Sequence, residues 1–437
     1  RAVRSTRARQ LLTELVPTML DAFSASPNPD LALRRFNEFL EGLPAGVQLF
    51  SLFNAHPGLF DLVAEIMGAA PRLAGWLSRH PILLDGVLSR DFFDFVPGRH
   101  DMTAELAEAT GHARDFQDFL DIQRRWANDG IFQVGAHMLR GRLEPVDASG
   151  PLSDIADTCL TSLLPEIKRE FADTHGHVPG GEMAVIAFGK LGSREMMPGS
   201  DLDLLFVYDS PSNTEQSDGR RPLPPGQYYS RLCQRFIGAI TAPTAEGRLY
   251  EVDMRLRPAG NAGPIASSLE AFTRYQKTDA WTWEHQALTR ARVVCAEGDL
   301  GENLEAAVRS VLTARRDASD LASDVAEMRE RIRREHGVDD IWSVKHIPGG
   351  IVDIEFLAQY LQLKYAAETP EILAGDTAAA FAVAGEKGLI ETDVASELVN
   401  ATILWRNLQG ILRLTVEGGF SEDGAAVALK HLLYWIV

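Results

Sequence analysis

Apolar residues recur along the first third of the chain at intervals of three and four, with Leu12, Leu15, Val16, Met19, Leu20 and Phe23 setting the pattern. That is the stripe an amphipathic helix buries. The same period runs to about residue 145 and predicts a helical bundle or helical array. Two phrases inside it match, HPGLFD at His56 to Asp61 and HPILLD at His80 to Asp85. Each is read as a turn that enters a helix through a Pro at the first helical position, ahead of any shared binding role. VDASGPLS, residues 146–153, predicts a break of small, turn-forming residues, with a helix from Asp154 to about Phe171 behind it.

After that the period changes. EMAVIAFG, DLDLLFVYD and RLYEVDMRL have the length and apolar density of strands, and PPGQYYSRLCQRFIGAIT, between the second and third, reads as a helix. Segment 211–224, PSNTEQSDGRRPLP, predicts a flexible surface loop. From Ser267 to Val437 helical periodicity returns, interrupted by HIPGG at 346–350 and by Gly-containing turns near residues 375 and 388. The expected plan is mainly α, with a small α+β domain carrying a mixed sheet between helical domains. The boundaries fall at 1–150, 151–298 and 299–437.

At 437 residues the chain is too long for one ordinary core and predicts two or three domains. A formal charge of -18 argues against loose binding to nucleic acid or to an anionic membrane, because a phosphate-tracking surface needs a basic field. Any phosphate chemistry must therefore be local, using metal ions or a few arginines. Cys159, Cys233 and Cys295 lie far apart without paired spacing. That suits a reducing compartment, read here as the cytoplasm, and argues against a zinc site or a disulfide framework. No apolar run reaches the roughly 18 to 20 residues that span a bilayer, and RAVRSTRARQ leads into no signal-peptide core. With no initiator Met and an end at LLYWIV in mid-pattern, the chain reads as a piece of a longer protein.

The second strand carries the chemistry. Residues two apart on a strand project from one face, so Asp201 and Asp203 point together while Leu202, Leu204 and Phe206 project from the other. Paired carboxylates at a mostly buried strand end repel each other unless solvated or neutralised by a cation, and a hard divalent ion is the usual solution. EVDMRLRP then places Glu251, Asp253, Arg255 and Arg257 at two-residue spacing. Alone, that face is a solvent-facing edge with cross-strand ion pairs. Beside the Asp pair it suits a third metal ligand and two phosphate-binding guanidiniums. GKLGS, Gly189 to Ser193, offers backbone N–H groups, a hydroxyl and Lys190 to a phosphate. It is not a P-loop, because Ala184 stands where that motif needs Gly and Leu191 where it needs Ser or Thr.

A Gly-Ser turn, an Asp-x-Asp strand and a distant third Asp together resemble the nucleotidyltransferase superfamily typified by DNA polymerase beta. Four longer phrases narrow this: GKLGSREMMPGSDLDLLFVYD, EVDMRLRPAGNAGPIASSLEAFTRYQ, AWTWEHQALTRARVV and KHIPGGIVDIEFLAQYLQL. These resemble the glutamine synthetase adenylyltransferase family, closely from about Leu152 to the end and more loosely before it. The resemblance implies a polymerase-beta-like domain and transfer of AMP from ATP to a tyrosine hydroxyl of glutamine synthetase, releasing pyrophosphate. The family carries two such domains in tandem, and the phrase GSDLDLLFVYD with the helices before it looks like the adenylylating half preceded by its linker. Phosphorolytic removal of AMP and a nucleotide-sensing binding module remain as alternatives.

The resemblance further implies Asp201, Asp203 and Asp253 as catalytic ligands of Mg2+, two ions in all. Gly192, Ser193, Lys190, Ser200, Arg255 and Arg257 are its nucleotide-binding set. The superfamily's gap between turn and Asp pair is longer than residues 194–200 supply, which leaves both Gly189 and Ser193 as counterparts of the turn. The PII signalling protein and glutamine are the implied effectors. Glu195 is read as either part of the site or a structural partner of a nearby cation. Asp353 and Glu355, two apart on a helix, point about 200 degrees apart and cannot chelate one ion; the family phrase puts them near the nucleotide or Lys345. Trp281, Trp283 and His285 are read as domain-interface packing ahead of a base-stacking platform. EMRERIRREHG at 327–337 is read as a solvated helix face.

Overall fold

The computed structural model describes residues 2–26, 28–43, 46–87, 92–93, 98–336 and 342–416. They gather into two units, one within Arg1–Gly98, Arg125–Pro151 and Asn407–Val437, the other within Arg99–Arg124 and Leu152–Arg406.

The first unit is helical, with α1 (Thr6–Ala25), α2 (Pro29–Gly42), α3 (Val47–Ala55), α4 (Pro57–Ala69), α5 (Pro71–Arg79) and α6 (Leu83–Val87). Ser5 and Asn28 open α1 and α2 by accepting the N–H groups of Ala8 and Leu31, donors that a first turn otherwise leaves unpaired. α4 and α5 begin on Pro57 and Pro71, as HPGLFD predicts for α4, whereas α6 begins at Leu83 and Pro81 of HPILLD lies in the turn before it. The stripe on α1 is narrower than its pattern suggests: Leu11, Leu15, Met19 and Phe23 are buried, while Val16 and Leu20 are exposed. Each exposed residue follows a buried one by a single position, about 100° around the helix. Phe23, Phe36, Phe53 and Phe60 form the centre, with Phe60 meeting the other three at centroid distances of 5.1 to 5.5 Å in edge-on geometry.

The second unit takes in α7 (Arg99–Thr110) and parts of α8 (Phe116–Leu139) and α9 (Pro145–His175). α9 runs unbroken through residues 146–153, so the break predicted there is absent. Ala148, Leu152, Ile155, Ala156 and Cys159 are buried at helical spacing, and that stripe outweighs the poor propensity of Gly150 and Pro151.

Next come β1 (Glu182–Ala187), the single helical turn α10 (Gly189–Gly192), β2 (Leu202–Asp209), α11 (Pro225–Thr241) and β3 (Val252–Asp253). β4 (Ala266–Ser268), α12 (Leu269–Thr278), α13 (Thr282–Leu288) and β5 (Arg292–Ala296) complete the sheet region. The strand order is β3-β2-β1-β5, with β4 also against β2. β1 runs antiparallel to β2 and β5, while β3 and β4 run parallel to β2, so the sheet is mixed as expected. β4 and β5 fall in a stretch predicted to be helical.

α14 (Leu300–Leu312), α15 (Ala318–His336), α16 (Ile351–Tyr365), α17 (Thr377–Glu386) and α18 (Thr392–Thr415) follow. Ala184 and Ile186 of β1 and Leu205 and Val207 of β2 form a core with Phe272, Leu288, Leu300 and Leu304. Loop 211–224 is held down: the N–H groups of Asp218, Gly219 and Arg221 donate to His177, His175 and Thr174 carbonyls at 3.0, 3.1 and 3.0 Å. Cys159 and Cys233 are buried and Cys295 is half-buried, all as free thiols. No described helix is long and apolar enough to cross a membrane.

Candidate active site

The sheet brings three aspartates to one end. Asp201 is the last residue before β2, Asp203 is the second residue within it, and parallel pairing sets Asp203 opposite Asp253 on β3. β3 lasts only two residues, so Glu251, Asp253, Arg255 and Arg257 do not share one strand face. The Asp253 carboxylate itself turns the chain, accepting the Arg255 N–H at 2.8 Å in an Asx-turn. The Arg255 guanidinium folds back onto the same carboxylate, its Nε donating at 3.1 and 2.7 Å. Arg257 donates to the Gly263 and Met254 carbonyls at 3.3 and 3.1 Å, and exposed Glu251 pairs with Arg248.

Burial, then the charges of Asp201 and Asp253, push the Asp203 carboxyl up to about 6. Arg255 holds Asp253 below its usual range by hydrogen bonding. Asp203 is therefore the strained charge of the three, and Asp253 the satisfied one. Among the described residues no three His, Cys, Asp or Glu side chains converge at metal-binding spacing, in keeping with the capture of Asp253 by Arg255.

GKLGS forms α10 and packs against this carboxylate. Gly189 has φ +52°, and a Cβ there would overlap Asp203 Oδ2, so both conformation and space demand glycine. A Cβ on Gly192 would overlap the Arg290 carbonyl oxygen. Ser193 Oγ is buried, not presented to solvent: it lies 3.0 Å from the Gly189 carbonyl and 2.9 Å from Glu195 Oε2, and accepts from Arg290 Nη2 at 2.7 Å. Lys190 Nζ stands 4.0 Å from Met197 Sδ, and Ser200 Oγ accepts the Met197 N–H at 3.1 Å.

Residues that sequence reasoning passed over hold this turn. Arg290 is buried and pairs with Glu195 and, at 3.0 Å, with Glu355 of α16. Burial alone would lower its pKa, but Glu355 and Glu195 outweigh that and hold it above the usual range. Glu195 also pairs with Arg406 of α18 at 3.5 Å and accepts the Thr377 N–H at 3.0 Å. Burial would raise its pKa, yet Arg290 and Arg406 keep it below the usual carboxylate range. Glu195 is thus a structural partner of cations, one of the two roles it was read as filling.

On the other side, Arg292 donates to the Leu191 and Gly192 carbonyls at 2.9 and 3.3 Å and makes a two-pronged pair with the wholly buried Asp157 at 2.9 and 2.8 Å. Asp157 also pairs with Arg99 and with Arg194, whose φ of +58° is unusual for a non-glycine. The only signal for this scaffold was the phrase TRARVV, two arginines at strand spacing.

Asp353 and Glu355 take separate partners, Arg329 and Arg290, as their angular separation predicts. Trp281 and Trp283 are exposed, and with Met328, Arg331 and Arg334 they border an open groove of about 880 Å³. His285 Nε2 lies 2.9 Å from the Gln276 carbonyl, and burial lowers its pKa.

Comparison with known proteins gives two family matches. Residues 60–307 match the family described as glutamate-ammonia ligase adenylyltransferase, and residues 319–417 match one described as GlnD PII-uridylyltransferase. Relatives named bifunctional glutamine synthetase adenylyltransferase/adenylyl-removing enzyme are similar over almost the whole chain. That of Mesorhizobium japonicum is 42% identical over 436 residues, and that of Brucella suis 43% over 434. Each alignment covers 99% of this chain and 44% of the relative, so the chain spans less than half the length of the proteins it matches.

Proposed function

The chain belongs to the glutamate-ammonia ligase adenylyltransferase family, and on that premise we propose that its sheet region transfers AMP from ATP to a tyrosine hydroxyl of glutamine synthetase. The observation that carries the reading is the pairing of Asp203 with Asp253 on adjacent strands, with Asp201 two residues before and the Gly189–Gly192 turn against Asp203.

In that reaction the tyrosine oxygen attacks the α-phosphorus, the bond to the β-phosphate oxygen breaks, pyrophosphate leaves and the phenolic proton passes to solvent. Such a step needs positioning and charge stabilisation, with no covalent enzyme intermediate. The donor chemistry fits Mg2+: three carboxylates supply hard oxygen ligands, and Asp203 is electrostatically short of a cation. Asp201, Asp203 and Asp253 would hold the ions, two in all, which bound would offset phosphate charge and favour the phenolate. Arg255 must first release Asp253, and its guanidinium, exposed at its outer end, is then available to a phosphate oxygen. The N–H groups around Lys190 would face the triphosphate from the turn; Gly192, whose N–H goes to the Phe188 carbonyl, lets the turn pack against the Arg290 backbone, Ser193 acts by bracing that turn, Ser200 by fixing the Met197 backbone, and Arg257 by shaping the loop after Asp253.

The PII signalling protein and glutamine belong to the reading as effectors, and the cytoplasm as its setting. The test is mass-detected AMP transfer from ATP to purified glutamine synthetase, with and without Mg2+. Transfer that needs Mg2+ and is lost in Asp201→Asn/Asp203→Asn supports it. Release of ADP from adenylylated glutamine synthetase and phosphate, without forward transfer, would instead assign the removing direction, and intact transfer in the double variant would refute the carboxylate assignment.

A further inference from the structure

We infer that Arg290 is a positioning residue for the turn that faces the nucleotide, held by a relay of Glu195, Glu355 and Arg406 through which the helices after the sheet set that turn. The inference rests on the proposed role of the turn and the aspartates.

Arg290 spans three partners from two parts of the fold: Ser193 just after α10 with Glu195 two residues on, and Glu355 on α16. Arg406 of α18 adds a second guanidinium to Glu195 and pairs at 2.8 Å with Asp376, the residue that caps α17. The Thr377 N–H at the start of α17 completes the ring around Glu195. Two successive helices, α17 and α18, thus reach the Glu195 carboxylate beside the turn, and α16 reaches it through Arg290. The network also joins the two family matches: Ser193, Glu195 and Arg290 lie in the first, Glu355, Thr377 and Arg406 in the second.

A buried ionic cluster is a poor way to gain stability, since packed apolar side chains of like volume do as well or better. What it adds is direction, because a guanidinium fork fixes the bearing of each group it binds. Two buried donors of this cluster, Arg290 Nε and Arg406 Nε, have no partner among the described residues. The arginines are therefore placed by the groups they must reach, not by saturation of their own hydrogen bonds.

The consequence for the site is geometric. α10 is one turn of helix, Ser193 Oγ is tied back to Gly189 at its far end, and Gly189 touches the Asp203 carboxylate. A displacement at Arg290 reaches Asp203 across that single rigid turn.

The test uses the 437-residue chain and two readouts: equilibrium binding of a non-hydrolysable ATP analogue, and steady-state AMP transfer with ATP and acceptor varied separately. Glu355→Gln keeps shape and removes one anchor of Arg290; it is expected to weaken analogue binding and raise the KM for ATP about tenfold while the KM for acceptor stays put. Arg290→Lys is expected to lose as much as Arg290→Ala, because an ammonium cannot span three partners. A purely structural role instead predicts rescue by Lys and an unchanged affinity in the folded fraction of Glu355→Gln. Wild-type affinity in both Glu355→Gln and Arg290→Lys overturns the inference. If the wild type binds the analogue but transfers no AMP, the proposed reaction falls while the binding series still decides the relay; if the wild type does not bind the analogue, both fall.

Discussion

Substituting Gly189 by Ala adds one methyl group at the point where the turn meets the carboxylates. The new Cβ would stand about 1 Å inside the 3.0 Å that separates real Cβ atoms from their neighbours, and what it meets is Asp203 Oδ2. Gly189 also has φ +52°, where an L side chain costs about 1 kcal/mol. Moving the carboxylate aside means leaving a rotamer well, at about another 1 kcal/mol. The sum, about 2 kcal/mol, is a survivable loss of stability. The effect on chemistry is larger, since a 1 Å misplacement of a positioned group costs about 100-fold in rate.

The assay is AMP transfer at 25 °C beside thermal unfolding, with Gly238→Ala as control. Gly238 lies in α11 and has no described residue within 4 Å of the place its new methyl group would take, so that change should stabilise by up to about 1 kcal/mol and leave activity alone. A Gly189→Ala variant that keeps its rate within about twofold would refute the idea that this turn and Asp203 act as a rigid pair.

Other outcomes follow from the same structure. Without divalent cation, Asp203→Asn should raise stability at pH 7.5 by about 3 kcal/mol while abolishing transfer: the folded pKa of about 6 lies above the ordinary 3.8, so ionisation opposes folding in full above pH 6 and the penalty fades as pH falls towards 4. Urea titrations at both pH values check the sign, and equal effects at pH 4 and 7.5 would contradict it. Asp157→Ala takes the buried carboxylate from Arg292 and one partner each from the partly exposed Arg194 and Arg99, and should cost about 3 kcal/mol, read by denaturant midpoint. Phe36→Ala, at the aromatic centre of the helical unit, should cost about 3 to 5 kcal/mol by the same measure, and a loss below about 1 kcal/mol would mean that the cluster collapses around the void.

β1 and β2 were legible from the length and apolar density of their runs, and α11 from its helical period. β4 and β5 were not, since Ala266–Ser268 and Arg292–Ala296 are too short to show one and take their extended form from pairing with β2 and β1. The alternation in EVDMRLRP was real in sequence but ends at Asp253, where a side-chain hydrogen bond to the backbone competes with the ladder. The opposite error occurred at residues 146–153, where turn-forming composition yielded to a buried helical stripe. At the site, Asp201, Asp203 and Asp253 could be gathered from spacing and resemblance. Arg290, Arg292 and Asp157 could not, because their partners lie up to 135 residues away and nothing local marks the pairing.

The cysteines give the molecule its own clock. All three lie in the second unit: Cys159 in α9, Cys233 in α11 and Cys295 in β5, while the helical unit has none. Burial pushes the Cys295 thiol up to about 12, and the other two are raised as well, so little reactive thiolate is present while the sheet and its helices stay closed. The rate at which a thiol reagent modifies the native chain therefore counts openings of the second unit alone. Set beside far-ultraviolet signals from the whole chain, it separates the melting of the two units without an engineered label.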